Sequence, residues 1–153
     1  MAAVATLLDE ATGWVGERGY EQWPLPFPRD ELAAGIERGE VYVAELKGDA
    51  VATVTLLWDD PIYWGARPPD AAYVHKLAVS RACAGRRIGQ NLVEWADSTA
   101  AAAGRQFLRL DCLRDNPGIR AYYERLGFEH RGDLEVNGRG MSIYERPVHS
   151  HRN

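Results

Sequence analysis

The sequence predicts an α/β (α+β) fold: one mixed, twisted β-sheet with helices on both faces. Three observations predict it. Val41–Leu46 and Val51–Trp58 are β-branched and apolar runs around Lys47, Gly48 and Asp49, the turn chemistry of a hairpin. Tyr73–Val79 and Phe107–Cys112 are separated by an amphipathic helical stretch, as a crossover between parallel strands requires. Phe128–Val136 and Met141–Pro147 read as a closing hairpin around Asn137 and Gly138.

The elements follow in order. Val4, Leu7, Leu8, Ala11, Trp14 and Val15 recur at helical spacing over Val4–Arg18, and Gly19 ends that helix. Tyr20–Pro28 is too proline-rich for a helix and too aromatic for a plain solvated loop. Asp30–Arg38 allow a short second helix with Leu32 and Ile36 inward. After the first hairpin, Asp59–Asp70 hold three prolines with Tyr63 and Trp64 and read as a long loop, a length that favours a functional role. From Ile88 to Ala103 a helix places Ile88, Leu92, Ala96, Thr99 and Ala103 on one face, to cover the sheet. A last helix spans about Gly118–Leu126, and residues after Val148 read as a frayed tail.

Length and composition bound the function. The 153 residues fit one domain, 1–153, and the 46% hydrophobic and 26% charged fractions are those of a soluble globular protein. No apolar run approaches the ~20 residues of a membrane span. Met1–Leu8 lacks a basic start and meets Asp9 and Glu10 too early for a signal peptide, so a cytoplasmic location is expected. The net charge of −4 argues against nucleic acid as the main partner and leans toward a cationic substrate. Cys83 and Cys112 are too few for a disulfide framework or a thiolate zinc site, and no metal is expected. Cys112 reads as packed; Cys83 lies in a loop among arginines.

The chemistry concentrates in Tyr73–Gly89, YVHKLAVSRACAGRRIG. A strand enters a short polar loop and a helix begins at Ile88, an order that turns bare backbone N–H groups toward an anion. Arg81, Arg86 and Arg87 add charge. The loop is not a P-loop, since no Gly-Lys-Ser/Thr follows, and it lacks the three glycines of a dinucleotide fingerprint. Downstream come FLRLDC at Phe107–Cys112 and NPGIRAYYERLGF at Asn116–Phe128.

Together these segments resemble the GCN5-related N-acetyltransferases, clearly from about Val41 to Val148. The resemblance implies acetyl-coenzyme A as cofactor, its pyrophosphate on the amides of Ala84, Gly85, Arg86, Arg87, Ile88, Gly89 and Gln90. It implies pantetheine hydrogen bonds from the strand at Leu77, Ala78 and Val79, with Asn116 touching the pantetheine arm. Tyr123, counted from Asn116 and back from Gly127 and Phe128, matches the family's general acid; its neighbour Tyr122 falls at a position usually apolar. Two positions depart from the pattern: Ala84 stands where Gln or Arg is usual, and Arg87 where the middle Gly is usual. Members also begin with a strand before the first helix, and here that strand is missing or drastically shortened. The edge this leaves on Val41–Leu46 predicts a homodimer.

Acetyl transfer to an amine needs a proton removed. An ammonium of pKa ~10.4 is unprotonated about once in 2,500 molecules at pH 7, a deficit of roughly 4.6 kcal/mol. His75 is the leading base, on a strand face shared by alternation with Tyr73 and Leu77, and a histidine or glutamate on the matching strand does this work in some members. Asp59 and Asp60 are the alternative bases, and a histidine satisfied within the fold is the competing reading. Trp23, Trp58, Tyr63 and Trp64 are candidates to line the acceptor pocket, with Asp59 or Asp60 attracting positive charge. Core or dimer packing competes for each aromatic. The expected activity is N-acetylation of a small-molecule primary amine by direct attack in a ternary complex. Acetylation of a protein N-terminus or lysine, and a non-catalytic acyl-CoA sensor, are the alternatives.

Overall fold

The computed structural model describes residues 1–149. In chain order it holds α1 (Ala2–Gly16), α2 (Arg29–Glu37), β1 (Val41–Leu46), β2 (Asp49–Leu57), α3 (Pro61–Trp64), β3 (Ala71–Val79), α4 (Ile88–Ala102), β4 (Phe107–Leu113), α5 (Pro117–Arg125), β5 (Glu129–Val136) and β6 (Arg139–Pro147). The strands form a six-stranded sheet in the order β1-β2-β3-β4-β6-β5. It is mixed: β3 and β4 run parallel, whereas β1 with β2, β4 with β6 and β5 with β6 are antiparallel. No strand precedes α1 among the described residues. The long loop after β2 is not wholly irregular, because Pro61 opens a single helical turn, α3, that Gly65 ends at φ +69°.

The chain divides into two compact units, residues 1–56 with 76–92, and residues 57–75 with the segment from 93 onward. In the first, Val4, Ala5 and Leu8 of α1 pack with Phe27, Leu32 and Ala78, and Trp23 and Val41 lean on the same cluster. The proline-rich Tyr20–Pro28 segment is clamped to α1 by one carboxylate: Phe27 N–H donates to Asp9 Oδ1 at 2.8 Å, and Arg29 Nη2 to Asp9 Oδ2 at 3.0 Å. The β1–β2 turn puts Lys47 at φ +53° and Gly48 at φ +84°, the left-handed pair of a tight hairpin. β1 ends the sheet order, and Tyr42, Val43 and Leu46 remain well exposed on it.

In the second unit the strand faces are sorted by alternation. One face of β4 and β6 carries Phe107, Arg109, Asp111, Ile143 and Glu145; the other carries Leu108, Leu110, Cys112, Ser142, Tyr144 and Arg146. Helices cover both. Trp64 and Tyr63 of α3 join Tyr73, Ala71, Leu57, Phe107 and Ile143 in one cluster. On the opposite face, Arg146 of β6 donates to the fully buried Asp97 of α4 at 2.9 Å. Tyr144 Oη accepts from Arg120 Nε at 2.9 Å and donates to Glu124 of α5 at 2.8 Å. The buried stripe of α4 runs through Leu92, Val93, Ala96, Asp97 and Ala100 rather than through Thr99 and Ala103, because Asp97 must meet Arg146. His149 is held too, its N–H donating to Asp97 Oδ1 at 3.1 Å, and the rest of the expected tail lies outside the described residues. Asn137 and Gly138 turn the closing hairpin with φ +52° and +78°.

Candidate active site

The first half of β3 is anchored from beneath by a buried cation. Arg109 donates to Glu145 Oε2 at 2.6 Å and to Tyr73 Oη at 2.9 Å, and its guanidinium lies 5.0 Å from the Trp64 ring. Trp64 meets Tyr73 edge-on at 6.2 Å and is buried in that cluster. That packing is the reading that competed with an acceptor-pocket role for this indole. The indole is core, and it ties α3 to β3.

With α3 held there, its flanking residues reach His75. Asp60 sits at the N-cap of α3, yet its carboxylate makes no cap bond. Asp60 Oδ2 lies 2.9 Å from His75 Nε2, and the Tyr63 ring lies 5.9 Å from the imidazole. The parallel ladder of β3 and β4 runs from Ala71 opposite Phe107 to Val74 opposite Leu110. The next residue on each strand is His75 and Asp111, and their side chains face each other with Nδ1 and Oδ1 3.4 Å apart. An ionised carboxylate only accepts hydrogen bonds, so the 2.9 Å contact requires a ring proton on Nε2 whether His75 is neutral or an imidazolium. Burial and the charges of Asp111 and Asp60 push the Tyr63 phenol up to about 12, with Arg139 opposing, so Tyr63 stays protonated beside them.

Sequence reasoning missed Asp111. Its signal was a carboxylate near the end of the strand Phe107–Leu113, on the same alternating face as Arg109. The alternation used to place His75 with Leu77 is interrupted, because Lys76 between them has φ +51°. The donor atoms of Asp60, His75 and Asp111 all lie within 4.8 Å of one another, a metal-ligand grouping.

Tyr123 of α5 is buried against Phe128, ring centroids 5.9 Å apart, with Tyr122 at 5.2 Å. Burial, then the charges of Cys112, Tyr122 and Asp111, push its phenol well above the ordinary tyrosine value. Burial likewise pushes the Cys112 thiol up to about 12. Asn116 is the N-cap of α5, where its Oδ1 accepts from Ile119 N–H at 3.2 Å and Pro117 takes the first helical position. That cap bond uses the Oδ1 of the side chain.

The anion loop lies in the other unit. Arg81 opens it, with its N–H donating to Glu10 Oε1 at 2.7 Å and its guanidinium 3.9 Å from the Trp14 ring, which Arg18 also approaches at 3.6 Å. A carboxylate already occupies that amide. The Ala84 and Arg86 amides donate within the turn, to Arg81 O at 3.2 Å and Cys83 O at 3.3 Å, and the run Ala84, Gly85, Arg86 and Arg87 is exposed, with α4 starting at Ile88. Gly85 has φ +83°, and a Cβ there would meet nothing within 4 Å, which is the open backbone a pyrophosphate needs. Arg87 has φ +61°, so the chain keeps a left-handed conformation where the pattern has glycine. Leu77, Ala78 and Val79 complete β3 ahead of the loop, and Gly89 and Gln90 lie in the first turn of α4. Cys83 is buried within the turn rather than exposed.

Of the other acceptor candidates, Tyr63 and Asp60 adjoin His75. Trp58 is 37% exposed, with the Arg105 guanidinium 5.2 Å from its ring, and Asp59 is exposed. Trp23 packs edge-on to Phe27 at 6.3 Å.

The acetyltransferase (GNAT) family model matches residues 5–128. A curated relative, the uncharacterized N-acetyltransferase YesJ of Bacillus subtilis (strain 168), is 29% identical over 154 residues, covering 95% of this chain and 84% of the relative. A GNAT-family acetyltransferase of Listeria monocytogenes 4b F2365 superposes with a TM-score of 0.71 at 25% identity, over 94% of this chain and 86% of that one. A Bacillus subtilis acetyltransferase solved in complex with CoA superposes with a TM-score of 0.62 at 20% identity, over 78% of this chain and 84% of that one. The strand, loop and helix order of β3 and α4, the Asn116–Phe128 motif and the family match agree: this chain belongs to the GNAT family and is an acetyl-CoA-dependent acyltransferase.

Proposed function

We propose that the protein transfers the acetyl group of acetyl-CoA to the primary amine of a small molecule, by direct attack in a ternary complex. The observation that carries the reading is His75, a partly buried imidazole whose Nε2 lies 2.9 Å from Asp60 Oδ2. That is the arrangement of an oriented general base. Asp60 is then a positioning residue, with the tautomer-holding role that a carboxylate has behind a catalytic histidine. The exposed backbone of Ala84–Arg87 and the α4 N-terminus receive the pyrophosphate, and the β3 backbone at Leu77–Val79 the pantetheine arm.

Tyr123 supplies a proton toward the departing sulfur. Its raised pKa keeps the phenol protonated, so it acts first as a hydrogen-bond donor to the growing thiolate charge. Tyr63 and Asp60 favour a cationic acceptor over an anionic one. Acetylation of a protein N-terminus is the second reading, motivated by α3 being a single exposed-edged turn, with Ile62 72% exposed.

We read residues 1–153 as one N-acetyltransferase domain because the family match crosses both units without a break. No helix of the described residues is long and apolar enough to cross a membrane, which supports a cytoplasmic enzyme. Screening small amines and peptides for coenzyme A release tests the reading. Release with several small amines and none with peptides supports it; peptide-only release moves the assignment to the second reading, and release with neither removes it.

A further inference from the structure

We infer that Arg139 binds a carboxylate carried by the acceptor, which makes the substrate class an amine joined through an apolar connector to an acid group, an ω-amino carboxylate. The inference deepens the proposed transfer to a small-molecule amine and rests on the amine being placed at His75. β6 begins at Arg139, directly after the turn at Asn137 and Gly138, with Val136 of β5 opposite it. Opposed residues of antiparallel strands share a sheet face, and so do residues two apart on one strand. Arg139 is therefore on the face of Met141 and Ile143. Ile143 is opposite Asp111, whose side chain meets His75. Between the two ends the face is hydrocarbon: Met141, with Leu113 and Leu134 opposite it, and then Val136. Met141 is buried and the other three are half-buried, a floor that a methylene chain can cover.

Charge is sorted along this face. Asp60 and Asp111 stand at the His75 end. Arg139, at the other end, is half-buried and makes no hydrogen bond or ion pair among the described residues. Its charge opposes the rise of the Tyr63 phenol, so the guanidinium acts on the space beside α3 and not only on bulk water. A guanidinium keeps its proton and presents a planar fork of donors that fits a carboxylate in paired hydrogen bonds. Four residues of strand separate Ile143 from Arg139, about 13 Å less the reach of the arginine side chain. An α-amino acid, with one carbon between its charged groups, spans too little of that distance. An ω-amino carboxylate puts its ammonium at the acidic end, its methylenes on the floor and its acid on Arg139. A simple alkylamine leaves the guanidinium without a partner, so Arg139 sets specificity for amines with a second, anionic end.

The test uses the full chain and two acceptors of equal length, 6-aminohexanoate and 6-aminohexan-1-ol, the second lacking the negative charge. Coenzyme A release gives a kcat/KM for the acid about tenfold or more above that for the alcohol. Arg139→Gln brings the ratio close to one by raising the KM of the acid far more than that of the alcohol, with the acetyl-CoA KM retained. Arg139→Lys recovers part of the preference. A merely structural Arg139 moves both acceptors together. A ratio near one in the wild type, or a preference that survives Arg139→Gln, overturns the seat and keeps the transferase reading. Binding supplies a readout without turnover. With ¹⁵Nε-labelled arginine, hexanoate shifts the resonance that Arg139→Gln removes, and hexan-1-ol does not. That shift without acetyl transfer to any amine removes the transferase reading and keeps the seat, whereas no shift with hexanoate, or an equal shift with hexan-1-ol, overturns the seat.

Discussion

Asp60 sits where a helix cap is expected, yet its carboxylate turns to His75 Nε2 at 2.9 Å. Asp60→Asn exchanges an obligate acceptor for an amide that also donates, and so releases the ring tautomer. We expect kcat to fall by ~10²-fold or more with little change in acetyl-CoA affinity. Steady-state kinetics with coenzyme A binding by calorimetry checks this; a near-wild-type kcat removes Asp60 from the mechanism.

Tyr123→Phe removes the one phenol that the motif and the buried site both select. The expected loss is ~10²-fold in kcat with cofactor affinity retained. Single-turnover measurement isolates the chemical step, and an unchanged rate there would return Tyr123 to a packing role.

Arg87 holds φ +61° in the anion loop, a conformation that costs a non-glycine residue about 1–2 kcal/mol. Arg87→Gly relieves it and adds chain entropy to the unfolded state, so stability should stay within about 1 kcal/mol of wild type. Arg87→Val should destabilise by more than Arg87→Gly, since β-branching aggravates the strain. Chemical denaturation orders the two variants. The reverse order would mean that the left-handed backbone is not retained in solution.

Asp9 gives a pH prediction. Burial pulls its pKa up, but the Phe27 N–H and Arg29 outweigh it and hold the carboxyl below its usual value. A depressed folded pKa contributes stability that is present above the unfolded value, about 4, and lost as pH falls through the folded one. Asp9→Asn should therefore be less stable than wild type at neutral pH, with the difference shrinking toward pH 3. Thermal unfolding across that range tests it, and a pH-independent difference would sink it.

β1 terminates the sheet order with Tyr42, Val43 and Leu46 exposed, which supports pairing between two copies. Light scattering should report a dimer at high micromolar concentration. Val43→Lys should shift it to monomer, and a monomeric wild type would dismiss the interface.

Periodicity carried most of the fold. The hairpins were legible because Lys47-Gly48 and Asn137-Gly138 are residue pairs that accept left-handed angles, and the crossover because a parallel pair needs a helix between its strands. α3 was hidden by its prolines, since Pro61 at a first helical position signals a turn and a helix start alike. His75 was legible as a histidine inside a strand. Its partners were not: Asp60 and Asp111 lie 15 and 36 positions away, and Lys76 breaks the alternation that would have predicted the ring's neighbours. The packing of Trp64 was not legible because a loop indole gives no sign that an arginine and a tyrosine will bury it.

Both cysteines are buried, and the Cys112 thiol is pushed up to about 12. Thiol-reactive dyes attack thiolates, and a group titrating there is ionised in roughly one molecule in 30,000 at pH 7.5. A chromogenic disulfide added to the folded enzyme should thus be consumed by released coenzyme A and hardly by the protein. Two equivalents of protein thiol should appear only after denaturant is added. The burial of both cysteines therefore also makes the enzyme optically silent in the assay that will identify its substrate.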